Sequence, residues 1–259
     1  MIRGSLSKDV AMQKIAITGK GGSGKTAITA ILIELLAREG NQSILAIDAD
    51  SSGGLPFALG MRVKKTVTQI RQDMIEDPYA RDEIYQRQMS DVMSDIVEEG
   101  KGFHLMAMGR PEGPGCYCTT NELLKYGIDR LSNRYDITIV DCEAGPEQVN
   151  RRILNGMGLL IIVTDISTRG IHAAREINAV VQENMDIEPV RTGLVINKFK
   201  KESPTITGMI EEAGLDILGF VPDDNNLAEF DAQGRPITEL PGDSPSVQAV
   251  RQIWQQINL

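Results

Sequence analysis

Two short stretches of this chain combine residue types that can do chemistry. The first, GKGGSGKT (Gly19 to Thr26), follows an apolar β-branched run and precedes a helical pattern. Its spacing matches G-x-x-x-x-G-K-[ST], in which glycines let backbone N–H groups face phosphate oxygens at a helix N-terminus. The second, GRPEGPGCYC (Gly109 to Cys118), places two of the chain's three cysteines one residue apart. Two thiolates can bind a metal ion, but they do not complete a tetrahedral site by themselves.

The phosphate loop predicts a nucleotide site with a defined role for each side chain. Lys25 should neutralise the β- and γ-phosphates, and the Thr26 hydroxyl should be a ligand of Mg²⁺. The loop as a whole should form the cofactor-binding cradle, which we assign to Gly19, Gly21, Gly22, Ser23, Gly24, Lys25, Thr26 and Ala27.

The elements that must position these stretches alternate along the chain. Short apolar runs predict seven strands, and the helical spacing between most of them predicts helices. The predicted strands are 14–18, 44–48, 104–108, 137–141, 159–164, 192–197 and 217–221. This alternation indicates an α/β fold, a doubly wound and mostly parallel sheet with helices on both faces. We expect a single P-loop domain over residues 13–259, after a flexible leader at 1–12.

Residues 63–100 depart from this alternation. The segment RQDMIEDPYARDEIYQRQMSDVMSDIVEEG is charged and Met-rich, and it predicts a helical insertion in several pieces. A solvated insertion is the favoured interpretation, and a mobile lid or docking surface is the alternative. The end of the chain, SPSVQAVRQIWQQINL, predicts a capped helix whose Trp254 packs on the domain.

Composition excludes some classes of partner. The formal net charge of -9 and the pI of about 4.9 argue against a large nucleic-acid or anionic-membrane surface, since both require basic clusters. No apolar run approaches the roughly 18 to 20 residues of a membrane span, and the first residues lack the apolar core of a secretory signal, so we expect a cytoplasmic protein. Three cysteines favour metal binding, a reactive thiol or burial over a disulfide framework.

Lys20 is a residue that the phosphate cradle does not require. With it, the loop reads K-G-G-x-G-K-T, which resembles the deviant Walker A motif of the ATPase family that includes the nitrogenase iron protein and the MinD and ParA ATPases. The resemblance runs from about residue 14 to the C-terminus and implies a SIMIBI-like fold with ATP as the nucleotide. It also implies a homodimer with nucleotide between the subunits, in which Lys20 is a catalytic residue that reaches the partner's phosphates.

Other positions match that family residue by residue. Asp50, in DADSSGGL, matches the aspartate that orients the attacking water, although Ser51 replaces the usual proline. Asp141, at the end of ITIVD, matches the Walker B aspartate near Mg²⁺. The resemblance assigns the recognition of the base, and the loop that closes over it, to Asn197, Lys198, Pro222 and Asp223.

In such a dimer, the two neighbouring cysteines could form half of a metal site shared between the subunits. If the loops meet on the two-fold axis, Cys116 and Cys118 of both subunits supply four thiolates. This C-x-C, together with D-x-E-A-G from Asp141, resembles CooC-type accessory ATPases for nickel insertion into carbon monoxide dehydrogenase. The resemblance implies a metallochaperone with Ni²⁺ or Zn²⁺ at the dimer interface and a nickel-containing client, with carbon monoxide dehydrogenase as the first choice. Incidental thiols are the alternative.

Two other functions stay open. An iron-sulfur reductase resembling the nitrogenase iron protein would need a cysteine in the second switch, but Cys142 directly follows Asp141 and reads better as a small buried residue. A positioning ATPase of the ParA or MinD type is the other alternative. The acidic charge balance and the C-x-C motif weigh against it.

Overall fold

The computed structural model describes residues 13–110, 118–145, 156–183, 191–200, 208, 210 and 214–257. The predicted leader at 1–12 and Cys116 lie outside these residues, as does the side chain of Cys118.

The strands of the described part form one sheet. Their bounds are β1 (Gln13–Gly19), β2 (Ile44–Ala49), β3 (Glu98–Glu99), β4 (His104–Ala107), β5 (Ile137–Cys142), β6 (Leu159–Thr164), β7 (Arg191–Phe199) and β8 (Asp216–Pro222). The order across the sheet is β3-β4-β2-β5-β1-β6-β7-β8, and every neighbouring pair is parallel except β3 with β4. The seven predicted strands are therefore confirmed to within two residues at each end, whereas β3 was not predicted.

Helices connect the strands and cover both faces of the sheet. Their bounds are α1 (Lys25–Glu39), α2 (Gly54–Ala58), α3 (Val67–Glu76), α4 (Pro78–Gln86), α5 (Met89–Ser94), α6 (Cys118–Leu131), α7 (Thr168–Glu183), α8 (Asn225–Gln233) and α9 (Pro245–Ile257). Short 3₁₀ turns follow α6 and α8, at Ser132–Arg134 and Ile237–Glu239. None of the helices in the described ranges is long and apolar enough to cross a membrane.

The two faces of the sheet bury two separate apolar clusters. Side chains alternate along β2, so that Ile44 packs in the cluster of α1, α2 and α9, while Ile47 packs in the cluster of α3 to α7. Trp254 is buried in the first cluster, as predicted. The α/β fold with a doubly wound, mostly parallel sheet is confirmed.

The insertion at 63–100 contains α3, α4, α5 and β3, and it is less solvated than its composition suggests. One side packs into the core beside α6, through a set of buried apolar residues: Val67, Ile70, Ile84, Val92, Met93 and Ile96. Its other side is exposed and carries Ile75, Tyr79 and Tyr85. The charged residues between the buried positions masked this packing in the sequence.

The insertion is fastened to the end of β4. Thr66 caps α3 in a capping box with Gln69. The Thr68 backbone N–H donates to the Met108 carbonyl at 2.9 Å, and the Thr68 hydroxyl donates to the Gly109 carbonyl at 3.1 Å. Gly109 has a φ of 78°, and a Cβ there would overlap the Thr66 side chain. The insertion therefore holds the point at which the predicted cysteine loop begins.

The packing of β2 gives a test of this fold. Ile47→Ala should lower the free energy of unfolding by about 2–5 kcal/mol, because a fully buried isoleucine leaves a cavity between β2 and the helices. Ile75→Ala, at a side chain that is 60% exposed, is the control and should change it by no more than about 0.5 kcal/mol. Urea unfolding of both variants measures the difference, and equal effects would contradict the assigned core.

Candidate nucleotide-binding site

Parallel strands bring the predicted chemistry to one edge of the sheet. The phosphate loop follows β1, and Asp48 and Asp141 lie at the carboxyl ends of β2 and β5. Asp141 is in register with Asp48 on one side and with Ile17 of β1 on the other. The crevice outside the carboxyl ends of such strands is where open α/β sheets bind ligands.

Side chains of β7 support the phosphate loop. The Asn197 side-chain nitrogen donates to the Ser23 carbonyl at 2.8 Å, and Lys198 Nζ donates to the Gly22 carbonyl at 3.1 Å. Gly24 precedes α1 with a φ of 89°, and a Cβ there would overlap the Asn197 amide nitrogen. The glycine is therefore required by close approach as well as by backbone conformation.

Glycine is also required where β1 ends. A Cβ on Gly19 would overlap the Val163 carbonyl oxygen of β6. Gly21 lies near the D-x-E-A-G stretch that begins at Asp141, since a Cβ there would be 3.9 Å from the Ala144 side chain. The loop is thus packed closely against its neighbours, which leave no room for a side chain at Gly19 or Gly24.

Lys25 and Asp50 form an ion pair at the phosphate end. Lys25 Nζ lies 3.0 Å from Asp50 Oδ2, and both side chains are mostly buried. Burial lowers the pKa of Lys25, but Asp141 and Asp50 outweigh it and the net shift is upward. Burial raises the pKa of Asp50, but the hydrogen bonds from Ser52 and the charge of Lys25 outweigh burial, so the net shift is downward. Both groups are therefore charged at neutral pH.

Asp141 has the surroundings expected of a magnesium ligand. It is fully buried, and its Oδ1 accepts a hydrogen bond from the Thr29 hydroxyl at 3.2 Å. Its Oδ2 is buried without a hydrogen-bond partner within the described residues. Burial raises the pKa of Asp141 to about 6, while Lys25 and the hydroxyls of Thr26 and Thr29 act in the opposite direction. An unsatisfied carboxylate oxygen near a threonine hydroxyl fits the oxygen ligands that Mg²⁺ prefers.

Asp48 is a second buried acid beside Asp141. Its carboxylate accepts the backbone N–H groups of Asp50 at 3.1 Å and Leu55 at 3.3 Å. Burial, followed by the charge of Asp141, raises the pKa of Asp48 to about 7. The sequence showed Asp48 at a strand end without giving it a role, and it did not single out Thr29, which reads as one more residue of an amphipathic helix.

Lys20 is paired within its own chain. Its Nζ lies 3.2 Å from Asp165 Oδ2 and 3.4 Å from the Ser167 hydroxyl. Burial raises the pKa of Asp165, but hydrogen bonds from Ser167 and Lys20 outweigh it and lower the pKa. The sequence did not single out Asp165 or Ser167, because their contact with Lys20 spans about half of the chain. The reach of Lys20 to a partner subunit stays a prediction.

A cleft of about 500 Å³ connects the phosphate loop to the predicted base site. Eight residues predicted to bind the nucleotide line it: Gly22, Gly24, Thr26, Ala27, Asn197, Lys198, Pro222 and Asp223. Lys198 has a φ of 54°, an uncommon left-handed conformation for a residue other than glycine. The cleft also has walls that the sequence did not indicate, made by α2 and α8 and including Phe57, Leu227, Asp231 and Arg235.

Of the three cysteine side chains, only that of Cys142 lies within the described part of the chain. Cys142 is fully buried in the core, as predicted, and burial raises the pKa of its thiol. Cys116 lies outside the described residues, and Cys118 begins α6. Across the described ranges, no group of three or more His, Cys, Asp and Glu side chains is arranged to hold a metal ion.

The raised carboxyl pKa values predict how stability depends on pH without metal or nucleotide. The folded state holds the Asp48 proton up to about pH 7, whereas the unfolded state releases it near 3.8. Stability should therefore fall as pH rises between these values. Asp48→Asn should weaken this dependence and raise stability at pH 8 relative to the wild type, as measured by urea unfolding in EDTA. Asp82→Asn, at an exposed residue, is the control, and identical profiles for Asp48→Asn and wild type would contradict the assignment.

Comparisons with known proteins show which family the chain resembles. Residues 14–237 match the family described as the CobQ/CobB/MinD/ParA nucleotide binding domain. An uncharacterised ATP-binding protein of Methanocaldococcus jannaschii is 37% identical, over 94% of this chain and 97% of its own. The carbon monoxide dehydrogenase accessory protein CooC of Rhodospirillum rubrum is 27% identical, over 88% of this chain and 90% of its own. The septum site-determining protein MinD of Bacillus subtilis is also 27% identical, over 95% and 88%.

The fold has solved counterparts. A ParA family ATPase from Chlorobium tepidum superposes with a TM-score of 0.75 at 20% identity, over 96% of this chain and all of the other. The structural likeness supports the fold, and the sequence matches cover nearly the whole chain. The chain therefore belongs to the CobQ/CobB/MinD/ParA family of nucleotide-binding domains.

Proposed function

We propose that this chain is a homodimeric, Mg²⁺-dependent ATPase that binds Ni²⁺ or Zn²⁺ at its subunit interface. Its task is to assist nickel insertion into a client enzyme, with carbon monoxide dehydrogenase as the first candidate. The observation that carries the ATPase activity is the convergence of Lys25, Asp50, Thr26 and Asp141 at the edge of the sheet, where the phosphate loop opens into the cleft.

The cleft accommodates ATP with its phosphates on the loop and its base against β7 and β8. The Asn197 amide nitrogen is committed to the Ser23 carbonyl, which leaves the Asn197 side-chain oxygen to accept from the amino group of adenine. Lys25, Lys20 and the loop N–H groups offset the phosphate charge. Asp223 and Pro222 close the base end of the cleft.

In the proposed hydrolysis, Asp50 orients the attacking water. A water oxygen forms a bond to the γ-phosphorus while the bond from that phosphorus to the β,γ-bridging oxygen breaks. ADP leaves with the bridging oxygen, and the protons of the water pass to the released phosphate and to solvent. Thr26 and Asp141 would hold Mg²⁺, which when bound would neutralise charge on the phosphates. The phosphate charge draws Lys25 away from Asp50, and the ionised Asp50 is then free to accept a hydrogen bond from the attacking water.

Lys20 couples this reaction to the dimer. In one chain it is held by Asp165 and Ser167, and it must leave them to reach the partner's nucleotide. An ion pair that is about one-third exposed is weak enough for the several negative charges of a triphosphate to displace. ATP binding would then favour subunit association, and hydrolysis would favour its reversal.

The metal cargo is supported by the Cys116-x-Cys118 spacing and by the similarity to CooC of Rhodospirillum rubrum. A backbone contact gives the two sites a physical connection. The Met108 N–H donates to the Asp48 carbonyl at 2.8 Å, so the end of β2, which carries the acids, contacts the strand that leads into the cysteine loop. A site shared between subunits would make nucleotide and metal binding mutually dependent.

A positioning ATPase is the second candidate, and the equal identity to MinD of Bacillus subtilis favours it. A protein of that kind would cycle between nucleotide states without needing Cys116 or Cys118. The iron-sulfur reductase has less support. Its cluster would use the thiol of Cys142, and that residue is buried in the core of the chain.

The proposed role of Asp50 can be measured directly. Asp50→Asn should slow ATP hydrolysis by about 100-fold or more, because an amide is a weaker acceptor for the attacking water. ATP affinity should stay within about threefold, since the phosphate cradle remains. A phosphate-release assay with an ATP titration separates the two effects, and Asp95→Asn, in an exposed ion pair on the insertion, is the control. Hydrolysis at the wild-type rate in Asp50→Asn would refute the assignment.

The metal site can be tested by loading the protein anaerobically with nickel, zinc, or iron with sulfide. The wild type should bind about one Ni²⁺ or Zn²⁺ per two chains, and the double variant Cys116→Ser/Cys118→Ser should lose it while keeping ATP binding. Cys142→Ala is the matched control and should retain the metal. Iron with sulfide that also depends on Cys142 would favour the reductase, and the absence of cysteine-dependent metal would favour the positioning ATPase.

A further inference from the structure

Phe57 is an aromatic ring left exposed inside the nucleotide cleft. It lies on the short helix α2, where its neighbours Leu55, Ala58 and Leu59 are buried, whereas 59% of Phe57 itself is exposed. The ring is part of the lining of the cleft. An exposed aromatic side chain in a concave site is typical of a ligand-binding surface, because a bound ligand would bury the ring.

The ring reaches across the cleft toward α8. Gly234 directly follows α8 as its C-cap, and a Cβ there would lie 3.6 Å from Phe57 Cζ. The same cleft is lined by Leu227 and Ala228 of α8, and by the charged residues Asp231 and Arg235. Phe57 therefore lines the same cleft as the apolar residues Leu227 and Ala228, and the cleft has a volume of about 500 Å³.

The position of Phe57 is fixed relative to the phosphate end. A Cβ on Gly54 would lie 3.5 Å from Thr26 Cγ2, so the start of α2 packs against the predicted magnesium ligand. The Leu55 N–H donates to the buried Asp48 carboxylate at 3.3 Å. Phe57 comes two residues later on the same helix, which is thus held at the phosphate end of the cleft.

We propose that Phe57 is a nucleotide-binding residue whose ring covers the ribose and base of the bound nucleotide, opposite Leu227. This inference rests on the ATP site proposed above and adds to it a contact made by the segment that carries Asp50. Stacking on a phenyl ring does not distinguish one base from another. Phe57 therefore contributes affinity, and the polar groups of Asn197 and Asp223 contribute the choice of base.

Two ligands separate this contact from the phosphate site. MgADP carries base, ribose and phosphates, whereas inorganic tripolyphosphate carries phosphates alone. Phe57→Ala should weaken MgADP binding by about tenfold, as expected for the loss of one stacking aromatic contact, and should leave tripolyphosphate binding unchanged. Phe57→Tyr should restore MgADP affinity. Tyr79→Ala is the control, since Tyr79 is 89% exposed on α4 and lies outside the cleft lining.

Calorimetric titration measures the binding of both ligands to the wild type and the three variants, and circular dichroism confirms that each protein is folded. Wild-type MgADP affinity in Phe57→Ala, or an equal loss for both ligands, would overturn the Phe57 contact and leave the ATP site standing. A wild type that binds neither ligand would overturn the ATP site and the inference together.

A fluorescent variant provides a second measurement. The chain has a single tryptophan, Trp254, which is buried in the core, so wild-type emission gives the background for Phe57→Trp. MgADP should change the emission of Phe57→Trp beyond that background and tripolyphosphate should not. An emission that ignores MgADP at saturating concentration would contradict the contact.

Discussion

One ammonium group among three carboxylates sets the constraint on which this structure depends. Asp48 and Asp141 are neighbours across paired strands in a region closed to water, and the charge of Lys25 favours the ionised forms of Asp141 and Asp50. Two buried acids without a cation would hold protons instead of ligands. The first turn of α1 must therefore place Lys25 at this point, and the register between β1, β2 and β5 must keep the acids together.

The residues assigned to the nucleotide also hold the site together. Asn197 and Lys198 support the phosphate loop through the carbonyls of Ser23 and Gly22. Gly22 and Gly24 of the same loop line the cleft. A substitution at Asn197 would consequently affect the phosphate end as well as the base, and its effect could not be attributed to base recognition alone.

Much of this arrangement was predictable because local patterns carry it. Apolar runs located seven of the strands, and the glycine and lysine spacing located the phosphate loop. The two-residue strand β3 is too short for any periodicity to register. The contact of Lys20 with Asp165 and the approach of Phe57 to Gly234 depend on loop paths between distant segments, which composition does not encode. The buried side of the insertion was hidden because charged residues separate its apolar positions.

The fastening of α3 to the end of β4 has an evolutionary consequence. Gly109 tolerates no Cβ while Thr66 occupies its place, and Thr68 holds the adjoining carbonyls by both its backbone and its hydroxyl. Positions 66, 68 and 109 should therefore vary together among descendants of this chain, although more than forty residues separate the first from the last. The insertion and the stretch that follows Gly109 would be inherited, exchanged or lost as a single module.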